Sequence, residues 1–289
     1  MSGISTNRSN ISLPTEVSKE IIAKTQEGSA VMSLAERITL PGRGLTIPVI
    51  TSDPVASWVG ETDKKPVSNP GLSTKTMRGY TLAVIVPFSN QFKRDNDAIY
   101  EECINRIPKA LGAQIDYTVF HGAAPGSDFD TFASVTAQSL ASDVYQGLVS
   151  ADTDIALHGG VNNGFVFSAQ GKGVLLGAVD KNDRPLFVNN VSEGAVPMVL
   201  GVKTVLSKQA FKSGSPSVIG YAGDWSQAKY GIVEDIQITF SDQATLTIDN
   251  EQVNLWERNM CAIRAEIEFG FRADTSVFNA LTATGVPSI

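Results

Sequence analysis

The sequence is poor in the residue types from which most catalytic and metal sites are built. It has two histidines, His121 and His158, and two cysteines, Cys103 and Cys261. The cysteines lie far apart, each inside an apolar-periodic stretch, which excludes a disulfide framework and a four-cysteine zinc site. Neither histidine stands in an H-E-x-x-H spacing, so a metalloprotease-like centre has no support. There is no G-x-S-x-G nucleophile elbow, and Gly171-Lys172-Gly173 lacks the remaining residues of a phosphate loop. Asp180-Lys181-Asn182-Asp183 lacks the glycine and terminal glutamate of a calcium loop. No apolar run reaches the roughly eighteen residues of a spanning helix. Met1 to Ser12 is Ser/Asn-rich with no apolar signal core, which predicts a product that stays in the cytosol where it is made. No internal repeat is present, and no cofactor is expected.

What remains is an ordinary globular composition, 289 residues with 42% hydrophobic and 18% charged side chains. A chain of this length buries roughly three-quarters of its unfolded surface and folds without staples. The formal net charge of −7 repels a polyanion. Direct DNA binding gains affinity when Lys and Arg displace counterions, so a nucleic-acid partner would be contained rather than gripped.

Along the chain, a polar, flexible first dozen residues precede Leu13-Pro14-Thr15-Glu16, a helix start for an arm. Ile38–Leu40 and Leu45–Ile50 flank the turn residues Pro41-Gly42-Arg43-Gly44, which predicts a hairpin. Residues 52–79 are rich in Pro, Gly and charge, with few apolar residues besides Trp58, and cannot build a core of their own. Tyr80–Val86 reads as the return arm of an extended hairpin. Ile99, Cys103, Ile104, Ile107, Leu111, Ile115 and Val119 give a long amphipathic helix, in which Pro108 predicts a kink or two consecutive helices. A second helical pattern covers 134–150. Short strands follow, at Gly164–Phe167 and Val174–Val179, with a turn at Lys181–Pro185. Ile232 to Ile248 and Cys261 to Phe271 read as three strands of an antiparallel meander carrying much of the acidity.

Three features give a catalytic reading its chance. Asp152 with Asp154, and Glu266 with Glu268, would each share one face if strand-borne, although solvated pairs of this kind are commoner than catalytic ones. His121 follows a helix, where a cationic imidazole meets the dipole favourably. A hydrolase using Cys103 or Cys261 with a histidine is the rival from another class.

The order of these elements resembles the major capsid protein family of tailed bacteriophages, the Hong Kong 97 fold, along nearly the whole chain. Ala56-Ser57-Trp58-Val59-Gly60-Glu61 followed by Lys64-Lys65-Pro66 looks like the start of the family's extended loop. Tyr80 to Ser89 looks like its return strand, leading into a spine helix after Arg94-Asp95. Gly223-Asp224-Trp225 with Tyr230-Gly231 is similar to the family's Gly-Asp-aromatic turn, and Arg264–Phe271 with Val277–Leu281 resembles its finish.

The resemblance implies an α+β fold divided as an arm (1–36), a peripheral-domain hairpin (37–51), an extended loop (52–86), a spine helix (87–129), an axial domain (130–222) and returning peripheral strands (223–289). It implies a non-enzymatic subunit that assembles with itself as pentamers and hexamers into an icosahedral shell around double-stranded DNA. Such a protein resides in the virion, and in the host cytoplasm during assembly. Portal, scaffolding or decoration proteins are its possible partners. A bacterial compartment shell of the encapsulin type is the alternative with the same fold. Trp58, Glu61, Lys64, Lys65, Lys75 and Arg78 are the expected intersubunit contacts, with Trp58 as aromatic anchor. No isopeptide crosslink is expected, since no partner asparagine can be assigned to Lys64, Lys65 or Lys75. No long scaffolding extension precedes the arm, which implies a separate scaffolding protein or none.

Overall fold

A computed structural model of the chain describes residues 28–52, 54–61, 64–69, 71–95, 97–179, 184, 186, 198–248 and 250–287. The arm helix expected after Leu13 and the turn expected at Lys181–Pro185 lie outside the described residues, Arg184 excepted. The fold is mixed α and β, organised around two sheets.

The first sheet has the order β1-β10-β13-β4, built from Glu36–Thr39, Ala228–Ser241, Met260–Ala273 and Tyr80–Ser89. β1 runs parallel to β10, whereas β10, β13 and β4 are antiparallel. Inward residues Leu82, Val84 and Val86 of β4 and Ile263, Ala265 and Ile267 of β13 belong to the core. So do Ile107, Leu111, Ile115 and Val119, at helical spacing on the long helix Asp97–Phe120, here α3. Before it come α1 (Ala30–Leu34) and α2 (Asn90–Asp95). Pro108 does not divide α3, which continues through it. Proline forfeits only one backbone hydrogen bond there, and Pro108 itself is buried.

The second sheet has the order β5-β14-β9-β6-β8-β7, from Thr136–Ser139, Phe278–Ala283, Ser217–Gly223, Gly164–Phe167, Val202–Leu206 and Met198–Val199. Helix α4 (Val144–Leu157), capped by the Asp143 carboxylate accepting from Gln146 N, packs on β14, β5 and β9. Helix α5 (Ala169–Leu176), capped by Ser168, packs on β6 and β9. Where the sheets meet, Phe132 is fully enclosed by the rings of Phe120, Tyr221, Trp225, Phe271 and Phe278. The Gly223-Asp224-Trp225 turn is built by this junction. Asp224 accepts from Val161 N (3.0 Å), Asn163 Nδ2 (2.9 Å) and Ser226 N and Oγ, while Trp225 Nε1 donates to Gly164 O at 3.0 Å.

Several sequence expectations are corrected. Ile38–Leu40 and Leu45–Ile50 form no hairpin with each other: the first run pairs with β10, and β2 (Leu45–Ser52) pairs with β3 (Gly71–Met77). The turn itself forms, with Gly44 N donating to Pro41 O at 2.8 Å, and passes the chain from one sheet to another. The return arm of the extended hairpin is therefore β3, and Tyr80–Ser89 pairs with β13 instead. The pattern over 134–150 begins as strand β5 and becomes helical only at Val144, while Val174–Leu176 closes helix α5. The acidic return is not a three-stranded meander, because β11 (Thr245–Ile248) and β12 (Glu251–Asn254) form their own two-stranded sheet between β10 and β13. β14 leaves the returning strands for the six-stranded sheet, where it lies between edge strand β5 and β9. No helix among the described residues is long and apolar enough to cross a membrane.

Candidate intersubunit surface

The β2–β3 hairpin is anchored at one end and unsupported at the other. At its root Gly44 has φ +83°, and a Cβ there would lie 2.7 Å from Met77 O, so both conformation and space require glycine. Met77 is wholly buried. Arg272 of β13 donates from Nε to Thr76 O at 2.7 Å, and its guanidinium pairs with Asp130 (2.8 Å) and Asp128 (3.2 Å). Arg78 meets Asp128 at 3.3 Å, while Lys75 Nζ donates to Ala273 O at 3.0 Å and lies 3.8 Å from Asp130. Two carboxylates thus gather three cations and fix β3 to the body. Little water reaches Arg272, so removing a partner would leave a charge partly buried and uncompensated.

The far end, residues 54–69, is different. Trp58 is as exposed as in an extended peptide, at 104%, and Val55 and Val67 also face solvent. Glu61, Lys64 and Lys65 are exposed, and Val55 N donates to Ser68 Oγ across the loop at 2.8 Å. Trp58, Glu61, Lys64 and Lys65 therefore share the projecting tip. Lys75 and Arg78 do not: their partners lie within the subunit, at the root. Sequence reasoning missed Asp128, Asp130 and Arg272. Their sequence signal was the two carboxylates of Ser127–Asp130, which carry no periodicity and do not point to Arg272, far along the chain.

A second clasp holds the chain upstream of this hairpin. The Asp116 carboxylate, wholly buried on α3, accepts from Ser29 Oγ (2.6 Å), Ala30 N (2.9 Å), Val31 N (3.2 Å) and Ser207 Oγ (2.8 Å). It caps α1 from a distant position in sequence and ties it to the strand end following β8. Burial pushes its pKa up, and the four donated hydrogen bonds oppose that shift.

The groups considered for catalysis do not converge. Asp152 and Asp154 lie on helix α4, where two-residue spacing turns side chains to different faces. Glu266 and Glu268 do share the outer face of β13, beside Glu234 and Gln237. His121 packs edge-on against Tyr117, and burial followed by the nearby Lys212 pushes its pKa down, so the cationic form that would meet the helix dipole is disfavoured. Cys261 is buried on β13 with its thiol pushed up by burial, opposite to the shift a nucleophile needs. An electrophilic thiol probe should label Cys261 in the folded protein at least about tenfold more slowly than in urea-unfolded protein, followed by mass spectrometry. Comparable rates in both states would revive the hydrolase reading. Among the described residues, no group of three or more His, Cys, Asp or Glu is placed to hold a metal ion.

Known proteins resemble this chain along most of its length. A model described as the phage capsid family matches residues 10–277. The probable major capsid protein gp17 of Mycobacterium phage L5 is 30% identical, the match covering 93% of this chain and 89% of that protein. Its counterpart from Mycobacterium phage D29 is 28% identical with the same coverage. A solved structure from Mycobacterium phage Adephagia superposes with a TM-score of 0.75 over 90% of this chain and 92% of that one, at 21% identity. The hydrolase and compartment-shell alternatives are not favoured by these likenesses.

Proposed function

This chain belongs to the phage capsid family, and on that premise we propose that it is a major capsid protein whose copies assemble as pentamers and hexamers into the icosahedral head shell of a tailed phage. The observation that carries this reading is the hairpin. A tip with a fully exposed tryptophan and no core of its own sits on a root clamped by five charged side chains. A free subunit gains nothing from holding such an arm out. Laid on a neighbour, Trp58 becomes an aromatic anchor, and Glu61, Lys64 and Lys65 supply polar register around it.

The role is structural rather than catalytic, and the protein resides in the virion after assembly in the host cytoplasm. The segment 130–222, joined by β14, would form the axial domain around the symmetry axes, and the four-stranded sheet with α3 the peripheral one. The net charge of −7 suits a container that leaves packaged double-stranded DNA mobile and unread. Portal, scaffolding or decoration proteins would be its partners in the same particle. Electron microscopy of the overexpressed protein should reveal shells or capsomers. A strictly monomeric product across all assembly conditions would overturn the proposal.

A further inference from the structure

The two ends of the six-stranded sheet are chemically opposite. At one end β7 and β8 are joined by the two-residue turn Leu200-Gly201, with Val199 paired to Val202 and Met198 to Lys203. Both turn residues have positive φ, 51° and 78°, the mirror-type turn that suits a twisted hairpin. Asparagine, aspartate or glycine is the ordinary occupant of the first position, and a leucine there is strained. Leu200 nevertheless stands at the tip, 40% exposed, with Met198 close by in the same hairpin at 64%. Strain that presents an apolar side chain to water points to a use for that side chain. The surrounding charge is of one sign: residues 198–223 contain Lys203, Lys208 and Lys212 and no aspartate or glutamate.

At the other end, helix α4 lies over edge strand β5 and leaves an open trough of about 300 Å³ lined by Gln138, Val149, Thr153, Asp154 and Leu157. Leu157 is 79% exposed, with Tyr145 and Val161 also facing solvent nearby. Here the sign is reversed. Residues 110–171 contain no lysine or arginine, and Asp154 lines the trough. Asp154 Oδ2 has no hydrogen-bond partner among the described residues.

We propose that these ends are the two halves of one heterologous interface, in which the Leu200 tip of one copy seats in the α4 trough of the next. Met198 covers Leu157, and Lys203, paired with Met198 on the same face of the hairpin, meets Asp154. One end of a subunit then always meets the other end of its neighbour, and such a head-to-tail contact closes into a ring when its rotation permits. The matched charges set orientation and exclude end-to-like-end pairing. The inference rests on the shell reading and specifies the contact that makes its capsomers.

Leu200→Asn removes the apolar knob and relieves the turn, so the subunit should keep or raise its thermal midpoint. Its capsomer yield in analytical ultracentrifugation should fall about tenfold or more, as expected for loss of a central interface anchor. Lys203→Glu should impair assembly, and Asp154→Lys in the same chain should restore much of it. As a measurement independent of folding effects, Leu200→Cys with Leu157→Cys in one chain should give, on oxidation, a reducible ladder of covalent oligomers ending at the capsomer. Each single-cysteine variant should give none. Full-chain wild-type protein that never assembles would sink the shell reading itself. Wild-type shells, together with normal assembly of Leu200→Asn and no ladder from the cysteine pair, would overturn this interface alone.

Discussion

Replacing residues 53–70 by a two-residue Asn-Gly turn between β2 and β3 is expected to leave the subunit folded and to abolish closed shells. Thermal or urea unfolding of the variant should differ from the wild type by no more than about 1 kcal/mol, since every described residue of the removed segment is exposed and a shortened loop lowers closure entropy only slightly. The root stays intact: Gly44, Met77 and the Arg272–Asp128–Asp130 cluster all lie outside the excision. Assembly answers differently, because the tip's contact recurs at every subunit and a modest loss per copy is multiplied around the particle. Trp58→Ala should reproduce the defect in weaker form, costing about 2–4 kcal/mol per contact if the indole is the buried anchor. Shells of normal yield from the excised variant, scored by negative-stain imaging, would remove the hairpin from the assembly mechanism.

What made this hairpin legible in sequence was composition, and what hid its true pairing was the same composition. Pro, Gly and charge over 52–79 announced a segment without a core. Yet β3, Gly-Leu-Ser-Thr-Lys-Thr-Met, carries no alternation of apolar and polar residues, and among its described side chains Met77 alone is buried deeply. Tyr80–Val86, apolar at alternate positions, therefore looked like the return arm, although its alternation records burial against β13 and α3. Gly164–Phe167 was read correctly, since its continuous apolar run is that of a strand covered on both faces. Val174–Val179 was read as strand because the apolar run Val174-Leu175-Leu176 at a helix end resembles a short strand unless the Ser168 cap is given weight. For the tip, Trp58, Glu61, Lys64 and Lys65 could be grouped from proximity in sequence. The partners of Lys75 and Arg78 could not, because Asp128, Asp130 and Arg272 are distant along the chain and meet only through the fold. The trough on α4 and the Leu200 tip were likewise out of reach: a positive φ at a leucine is a property of the backbone path.

Asp116→Ala should be among the most destabilising single substitutions in the chain, by about 3–5 kcal/mol. It leaves two backbone N–H groups and two serine hydroxyls without their acceptor in a buried site, and each unsatisfied group costs about 1–3 kcal/mol before relaxation. The loss should appear as early unfolding of α1 and of the strand end at Ser207, followed by amide exchange at Ala30 and Val31. Asp116→Asn separates hydrogen bonding from charge, since it keeps one acceptor oxygen and abolishes titration. The folded-state pKa of Asp116 lies above its ordinary value of 3.8, so on raising the pH the unfolded chain releases this proton before the folded chain does. Stability contributed by the group is therefore full below about pH 4 and declines as pH rises through the raised folded value, levelling above it. The stability difference between wild type and Asp116→Asn should shrink across that window when measured by urea titration at successive pH values. A difference that grows with pH would mean that the four donors outweigh burial and hold the carboxylate ionised. In that case Asp116 would act as a charged clamp, and acid rather than base would loosen the junction between α1, α3 and the end of β8.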